Sequence, residues 1–391
     1  METVKRGILN LICSAVTGEA CTLPEGFSME EAYPLVRDGQ VITLVYESAL
    51  QNGIPGALPS MKELRQEYYR RLLRSEKQMQ MLHKVCEAFA ANGIDYMPLK
   101  GSVLKEFYRK PEQRVMGDAD ILIRMEQYEK IKALMEELGF REGPETDHEL
   151  VWMSPDLYLE LHKRIVPASN KDLYRYFGDG WKLAKPLSGT RHGLSEEDTF
   201  VYLFAHFAKH FRSGGIGCRH VVDLWVYHRA HPHMDEMRIA RSLEKLQLTE
   251  FYENILRMLR VWFEGAQSDE KSEYLTDMFF KGTYFGTREE HMIASGAMNA
   301  KRMKSARLGK VVRIWKGLFP DRMYMTTKYP VLKKYPALLP VLWPWRWITG
   351  ILFRRENLRR IHRELHLTDA KTVSDYQKQL EYVGLDFHVE E

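Results

Sequence analysis

Residues 99–160 constrain this chain more than any other stretch. The half-apolar run Ile94-Asp95-Tyr96-Met97-Pro98-Leu99 stops at Lys100-Gly101-Ser102, the pattern of a strand feeding a tight turn. Further on, Gly117-Asp118-Ala119-Asp120-Ile121-Leu122-Ile123 opens a second β-rich run. Side chains two apart on a strand share a face, so Asp118 and Asp120 should project together while Ala119, Ile121 and Ile123 face a core. Like charges held side by side repel. A hard cation between them relieves the repulsion, and carboxylate oxygens of this kind suit magnesium. A third run, Leu157-Tyr158-Leu159-Glu160-Leu161-His162, brings one more carboxylate, Glu160, towards the pair.

The flanking patterns predict how these runs are held. Met61, Leu64, Tyr68, Leu72, Met79, Leu82, Cys86 and Phe89 recur mostly three and four apart. That is an amphipathic helix of about thirty residues, ending at Asn92-Gly93. Pro59-Ser60 reads as its N-cap region, with Glu63 at capping-box spacing. Residues 125–138 form a second helical pattern, stopped by Gly139. Residues 149–153 read as a strand, and Ser154-Pro155-Asp156 turns it into the Glu160 run. This hairpin should set Glu160 beside Asp118 and Asp120. The expected fold class is α+β, a mixed sheet with helices packed on one side.

The Gly-Ser turn, the Asp-x-Asp pair and the later strand carboxylate, in that order, resemble the nucleotidyltransferase superfamily with the polymerase-β-like fold. Pro98-Leu99-Lys100-Gly101, a Leu104…Tyr108 helix, Arg114, Asp118-x-Asp120-x-Leu122 and Glu160-Leu161-His162 are similar to one branch, the largely uncharacterised bacterial nucleotidyltransferase family. The likeness covers about residues 60–165 and runs on more loosely through His206, His210 and Asp223. Residues 103–117, between Ser102 and Asp118, make a long insert for the superfamily. The resemblance implies an enzyme that moves a nucleoside monophosphate from an NTP to an acceptor hydroxyl and releases pyrophosphate. Magnesium is the implied cofactor, with manganese as its substitute. Asp118, Asp120 and Glu160 are the implied catalytic and metal-binding carboxylates, because two ions about 3.5–4 Å apart can clamp the attacking and leaving oxygens. Lys100, Gly101, Ser102 and Arg114 are the implied nucleotide-binding residues. Glycine lets the backbone approach phosphate, and amides at a helix start hold its oxygens.

Several roles stay open between a chemical and a plain reading. Lys100 is a phosphate cation or a solvated edge residue. Arg114 clamps the triphosphate or pairs with a nearby acid. Glu160 binds metal or faces outward on its strand. His162 contacts substrate or orients a carboxylate. His206 and His210 share a helix face on the acceptor side, as half a metal site or as packed histidines lining a cleft. Asp223 and Arg219, four apart, read as a helix-surface pair.

The whole chain has 391 residues, 45% of them apolar and 28% charged, enough for two or three domains. We expect an N-terminal helical region over 1–58, the nucleotidyltransferase core over 59–190 and a helical region over 191–391. A net charge of +4 is too small to argue for nucleic acid, and no DNA partner is expected. The partners expected are an NTP and an acceptor that is a small molecule, a sugar, a protein or an RNA end. Cys13, Cys21, Cys86 and Cys218 form no metal spacing and fit a reducing cytosol. The start lacks the long apolar stretch and cleavage site of a signal peptide. Two features stand apart. A basic helix is predicted over 285–317, carrying Lys301, Arg302, Lys304, Arg307, Lys310, Arg313 and Lys316. A Trp- and Pro-rich segment over 328–355 has basic clusters on both sides. Its prolines and Arg346 argue against a spanning helix. Its tryptophans either pack on the helical region or meet a membrane interface from the cytoplasmic side. That leaves a second reading, a membrane-surface or partner-binding protein with a degenerate transferase site.

Overall fold

The computed structural model describes residues 2–168, 170–214, 216–281, 291–295, 297, 315, 318–320, 322–329, 331–353 and 370–385. The chain divides into two compact units, Met1–Ala208 with Ile216–Tyr284, and Lys209–Gly215 with Phe285–Glu391. The architecture is α+β, a seven-stranded mixed sheet with many helices around it.

The first unit holds the sheet. Its strands are β1 (Tyr96–Leu99), β2 (Ala119–Ile123), β3 (Arg141–Glu145), β4 (Glu149–Met153), β5 (Tyr158–His162), β6 (Lys185–Ser188) and β7 (Arg191–Gly193), in the order β3-β4-β5-β2-β1-β7-β6. β2 pairs parallel with β5 and antiparallel with β1, and β1 pairs parallel with β7. Alternation along the strands separates two faces. Ala119, Ile121 and Ile123 lie with Leu150, Trp152, Leu159 and Leu161 in one core cluster, all fully or almost fully buried. Leu82, Val85 and Phe89 of α4 (Pro59–Ala91) and Ile131 and Met135 of α6 (Tyr128–Glu137) cover that face. The opposite face of β2 and β5 carries Asp120, Leu122, Glu160 and His162.

Three helices precede α4, namely α1 (Glu2–Thr17), α2 (Met29–Asp38) and α3 (Ile42–Gln51). The middle one carries Pro34 inside it, a residue that usually interrupts a helix. It starts at Ser28, whose side chain accepts from the Glu31 amide. The capping box expected at Ser60 does not form. Pro59 is the first helical residue of α4, the position its fixed φ favours. Glu30 of α2 then accepts hydrogen bonds from the Ser60 amide (3.2 Å) and hydroxyl (3.1 Å), an acid from outside taking the place of a local cap. The expected Leu104…Tyr108 helix is α5 (Gly101–Leu104), followed by a 3-10 turn, Lys105–Phe107. Beyond the sheet come α7 (Lys171–Phe177), α8 (Glu196–Arg212), α9 (Cys218–Ala230), α10 (Glu236–Lys245), α11 (Thr249–Phe263) and α12 (Glu270–Lys281).

The second unit contains helices Arg322–Lys328, Val331–Lys334, Leu339–Phe353 and Ala370–Tyr382. Pro344 lies inside the third. Trp343 and Trp347 donate their indole N–H groups to Pro320 O (3.0 Å) and Leu318 O (2.8 Å), and Phe319 meets both rings edge-on. Trp345, Val341 and Ile348 are exposed. No helix among the described residues is long and apolar enough to cross a membrane. The seven cations of the predicted 285–317 helix lie outside the described residues.

Ile121 is fully buried between β5 and the covering helices. Ile121→Ala should lower the unfolding free energy by about 2–5 kcal/mol, the cost of an unfilled core site, measured by urea titration of the far-UV circular dichroism.

Candidate functional site

Asp120 is the centre of the polar face. Parallel pairing sets it opposite Glu160, with His162 opposite Leu122. Antiparallel pairing sets it opposite Leu99, the last residue of β1. Lys100 follows at once and takes a φ of 48°, a left-handed conformation that non-glycine residues rarely adopt. This turn delivers Lys100 Nζ to 2.6 Å from Asp120 Oδ1. His162 Nε2 lies 2.8 Å from the same oxygen and 3.6 Å from Glu160 Oε2. Asp120 and His162 are only 4% and 2% exposed. Burial by itself would raise the Asp120 pKa. The Lys100 charge, then the His162 hydrogen bond, overcome it and hold the carboxyl well below its usual range. Lys100 and His162 are raised in return, each against the cost of burial, chiefly by Asp120.

Asp118 sits one residue before β2 and fares differently. Burial first, then the charges of Asp120 and Glu160, push its pKa up to about 6, and Lys100 only partly offsets them. The site therefore contains three carboxylates and one ammonium, with Lys100 and His162 both on a single oxygen of Asp120. Asp120, Glu160 and His162 offer ligand atoms within 4.8 Å of one another. Uncompensated negative charge and oxygen-rich donors fit a hard divalent cation.

The remaining predicted residues are placed as follows. Ser102 is buried and its hydroxyl donates to Leu99 O (2.8 Å). A Cβ on Gly101 would come within 3.1 Å of Arg114 Nη1, so the glycine lets the guanidinium pack against the turn. Arg114 is itself buried and grips Asp223 of α9 through Nε and Nη2, both at 3.0 Å. Tyr108 adds its hydroxyl to Asp223 at 2.6 Å. Arg114 thus has the acidic partner that the plain reading allowed, Asp223. His206 and His210 both lie on α8 and belong to neither of the metal-competent groups among the described residues. His206 packs near Tyr202, ring centres 6.2 Å apart.

A cavity of about 210 Å³ adjoins Lys100. Phe107, Arg191, Tyr202, Tyr227 and His231 help to line it. Sequence reasoning missed Tyr202, whose ring is buried and feels the charges of Lys100, Asp120 and Glu160. In the sequence it is one aromatic among several on an apolar helix face, so no local signal marks it. β6 and β7 were missed as well. Their exposed residues alternate too little to read as strands.

The family model described as "Uncharacterised nucleotidyltransferase" matches residues 25–264, a span that includes Lys100, Arg114, Asp118, Asp120, Glu160, His162, His206, His210 and Asp223. No curated protein and no solved structure gives a match.

Two consequences are measurable. The folded-state pKa of Asp118, about 6, lies above its ordinary value of 3.8. The folded protein therefore binds the extra proton between those values, and the Asp118 charge costs stability as pH rises through about 6. In metal-free buffer above that pH, Asp118→Asn should raise Tm. Divalent-cation affinity of the unaltered protein should fall as pH drops through about 6, with proton uptake competing. Separately, Asp223→Ala strands the buried Arg114 charge and should cost about 3–5 kcal/mol of unfolding free energy, read by denaturant titration.

Proposed function

The chain belongs to the uncharacterised nucleotidyltransferase family, and from that membership we propose that it transfers a nucleoside monophosphate from an NTP to an acceptor hydroxyl, with magnesium as cofactor. The observation that carries this reading is the β2–β5 register. It sets Glu160 opposite Asp120, with Asp118 immediately before β2, where burial and both neighbouring charges raise its pKa. In the reaction the acceptor oxygen bonds to the α-phosphorus, the α–β anhydride bond breaks, pyrophosphate leaves and the hydroxyl proton is lost to solvent. Asp118, Asp120 and Glu160 would hold the metal. Bound there, magnesium supplies charge stabilisation at the attacking and leaving oxygens; manganese would serve in its place.

The protein's own groups have distinct tasks. Lys100 keeps Asp120 ionised and fixed. His162 holds the same carboxylate from the other side and approaches Glu160. Gly101 and Ser102 form the turn on which phosphate oxygens would lie, with the Ser102 hydroxyl already used to brace the turn against Leu99. The cavity next to Lys100, walled by Tyr202 of α8 and Tyr227 of α9, is the place for the nucleoside or the acceptor. Arg114 shapes the turn from behind and is a positioning residue.

Calorimetric titration of each NTP, with and without magnesium, tests the reading. We expect magnesium-dependent binding that is lost in Asp118→Asn/Asp120→Asn. Labelled α-phosphate transfer to an acceptor extract should fall by at least about 10²-fold in either single variant, the scale set by removing one group that stabilises transition-state charge. Transfer at the unaltered rate in both singles would overturn the assignment.

A further inference from the structure

We propose that His148, Glu149 and His162 form a second metal site, for a d-block divalent ion such as zinc, on the far side of His162 from Asp120. The β4–β5 register sets Glu149 directly opposite His162. His148 precedes β4, and its carbonyl accepts from the Lys163 amide at 2.8 Å, so the hairpin places all three residues at one end of the two strands. Each offers a ligand atom within 4.8 Å of the others. The two imidazole rings are 5.8 Å apart and inclined by 64°.

Each histidine has one ring nitrogen on a carboxylate outside the proposed site, as metal ligands usually do. His148 Nδ1 lies 3.0 Å from Asp147 Oδ1 and 3.2 Å from Thr146 Oγ1. That turns Nε2 to 3.1 Å from Glu149 Oε2. His162 Nε2 lies on Asp120, and its Nδ1 is buried with no hydrogen-bond partner. A buried ring nitrogen without a partner is costly in a folded protein. A metal ion on Nδ1 satisfies it and fixes the tautomer in which Nε2–H donates to Asp120. Two imidazoles and one carboxylate suit zinc, with a fourth position left for water. Magnesium, which favours oxygen donors, is poorly matched. His148 and Glu149 are half-buried, so an ion can enter from solvent. The site stands on its own geometry and does not require nucleotide transfer.

The experiment uses the full chain, stripped with chelator, reloaded with zinc or cobalt and dialysed against magnesium buffer. We expect one zinc per chain and, with cobalt, the visible bands of a low-coordinate ion. His148→Ala and Glu149→Gln should each weaken zinc at least about 100-fold, and Asp147→Asn about 10-fold, the range for an outer carboxylate. Asp118→Asn should leave zinc affinity unchanged. Circular dichroism of Glu149→Gln, close to isosteric, controls for folding. No zinc on the unaltered protein, or full zinc retention in both His148→Ala and Glu149→Gln, overturns the site. Loss of zinc in Asp118→Asn alone overturns it too, because the ion then sits in the carboxylate cluster.

Discussion

Asp120 sits almost fully buried in an inner strand of the sheet, and a carboxylate there is tolerated only if paired and hydrogen-bonded. Both partners are supplied by neighbouring strands. β1 ends opposite Asp120, so the next residue, Lys100, needs only a left-handed turn to bring its ammonium across. That conformation costs about 1–3 kcal/mol in general, and the ion pair is what holds it. β5 runs parallel to β2, so His162, two residues beyond Glu160, reaches the same oxygen. The turn geometry, the strand order and the charge balance of the site all follow from burying this one carboxylate.

The long insert between Ser102 and Asp118 is built of short helical turns that polar contacts tie to the surrounding helices. Gln113 Nε2 donates to Ala15 O of α1 (3.0 Å), and Thr43 of α3 donates to Gln113 O (2.8 Å). Lys110 pairs with Glu47 of α3 at 2.6 Å. Lys105 donates to Ser75 of α4 and to Arg114 O, both at 2.7 Å. Its burial, with the Arg114 charge nearby, lowers its pKa to about 8. The N-terminal helices thus brace the segment leading into Asp118, and the Arg114–Asp223 pair ties the same segment to α9. Precision at the carboxylates is produced by contacts far apart in sequence.

That distance explains what the sequence displayed and what it hid. The Lys100-Gly101-Ser102 turn, Asp118-x-Asp120 and Glu160-Leu161-His162 each lie within one short element, where strand period and turn chemistry act locally. They led to the family and to the α+β fold, both of which hold. The β2–β5 adjacency was also readable, because the 149–162 hairpin restricts where Glu160 can lie. The ion-pair partners of Lys100 and Arg114 were not visible in the sequence, because they are 20 and 109 residues away. Ser60 misled for a related reason: its hydrogen-bond acceptor, Glu30, lies on another helix. The sequence called attention to the spacing of His206 and His210, while the structure brings His148 to Glu149 and His162 through strand register.

The opposite pKa directions of Asp118 and Asp120 bear on the order of binding. Lys100 and His162 both lie on one oxygen of Asp120, and that carboxylate raises the pKa of each against the cost of burial. Neither of these groups hydrogen-bonds Asp118, and its pKa is raised by burial and by the charges of Asp120 and Glu160. On the proposed reading, the negative charge that a second ion would need comes with the triphosphate and not from the protein. Lys100 then has a purpose beyond pairing. Without its charge, burial would act on Asp120 with only His162 to oppose it, and the Asp120 pKa would move upward. On the proposed reading, Asp120 is the ligand held ionised by Lys100, and Asp118, raised by burial and its neighbours, is the one whose charge an incoming cation would draw out.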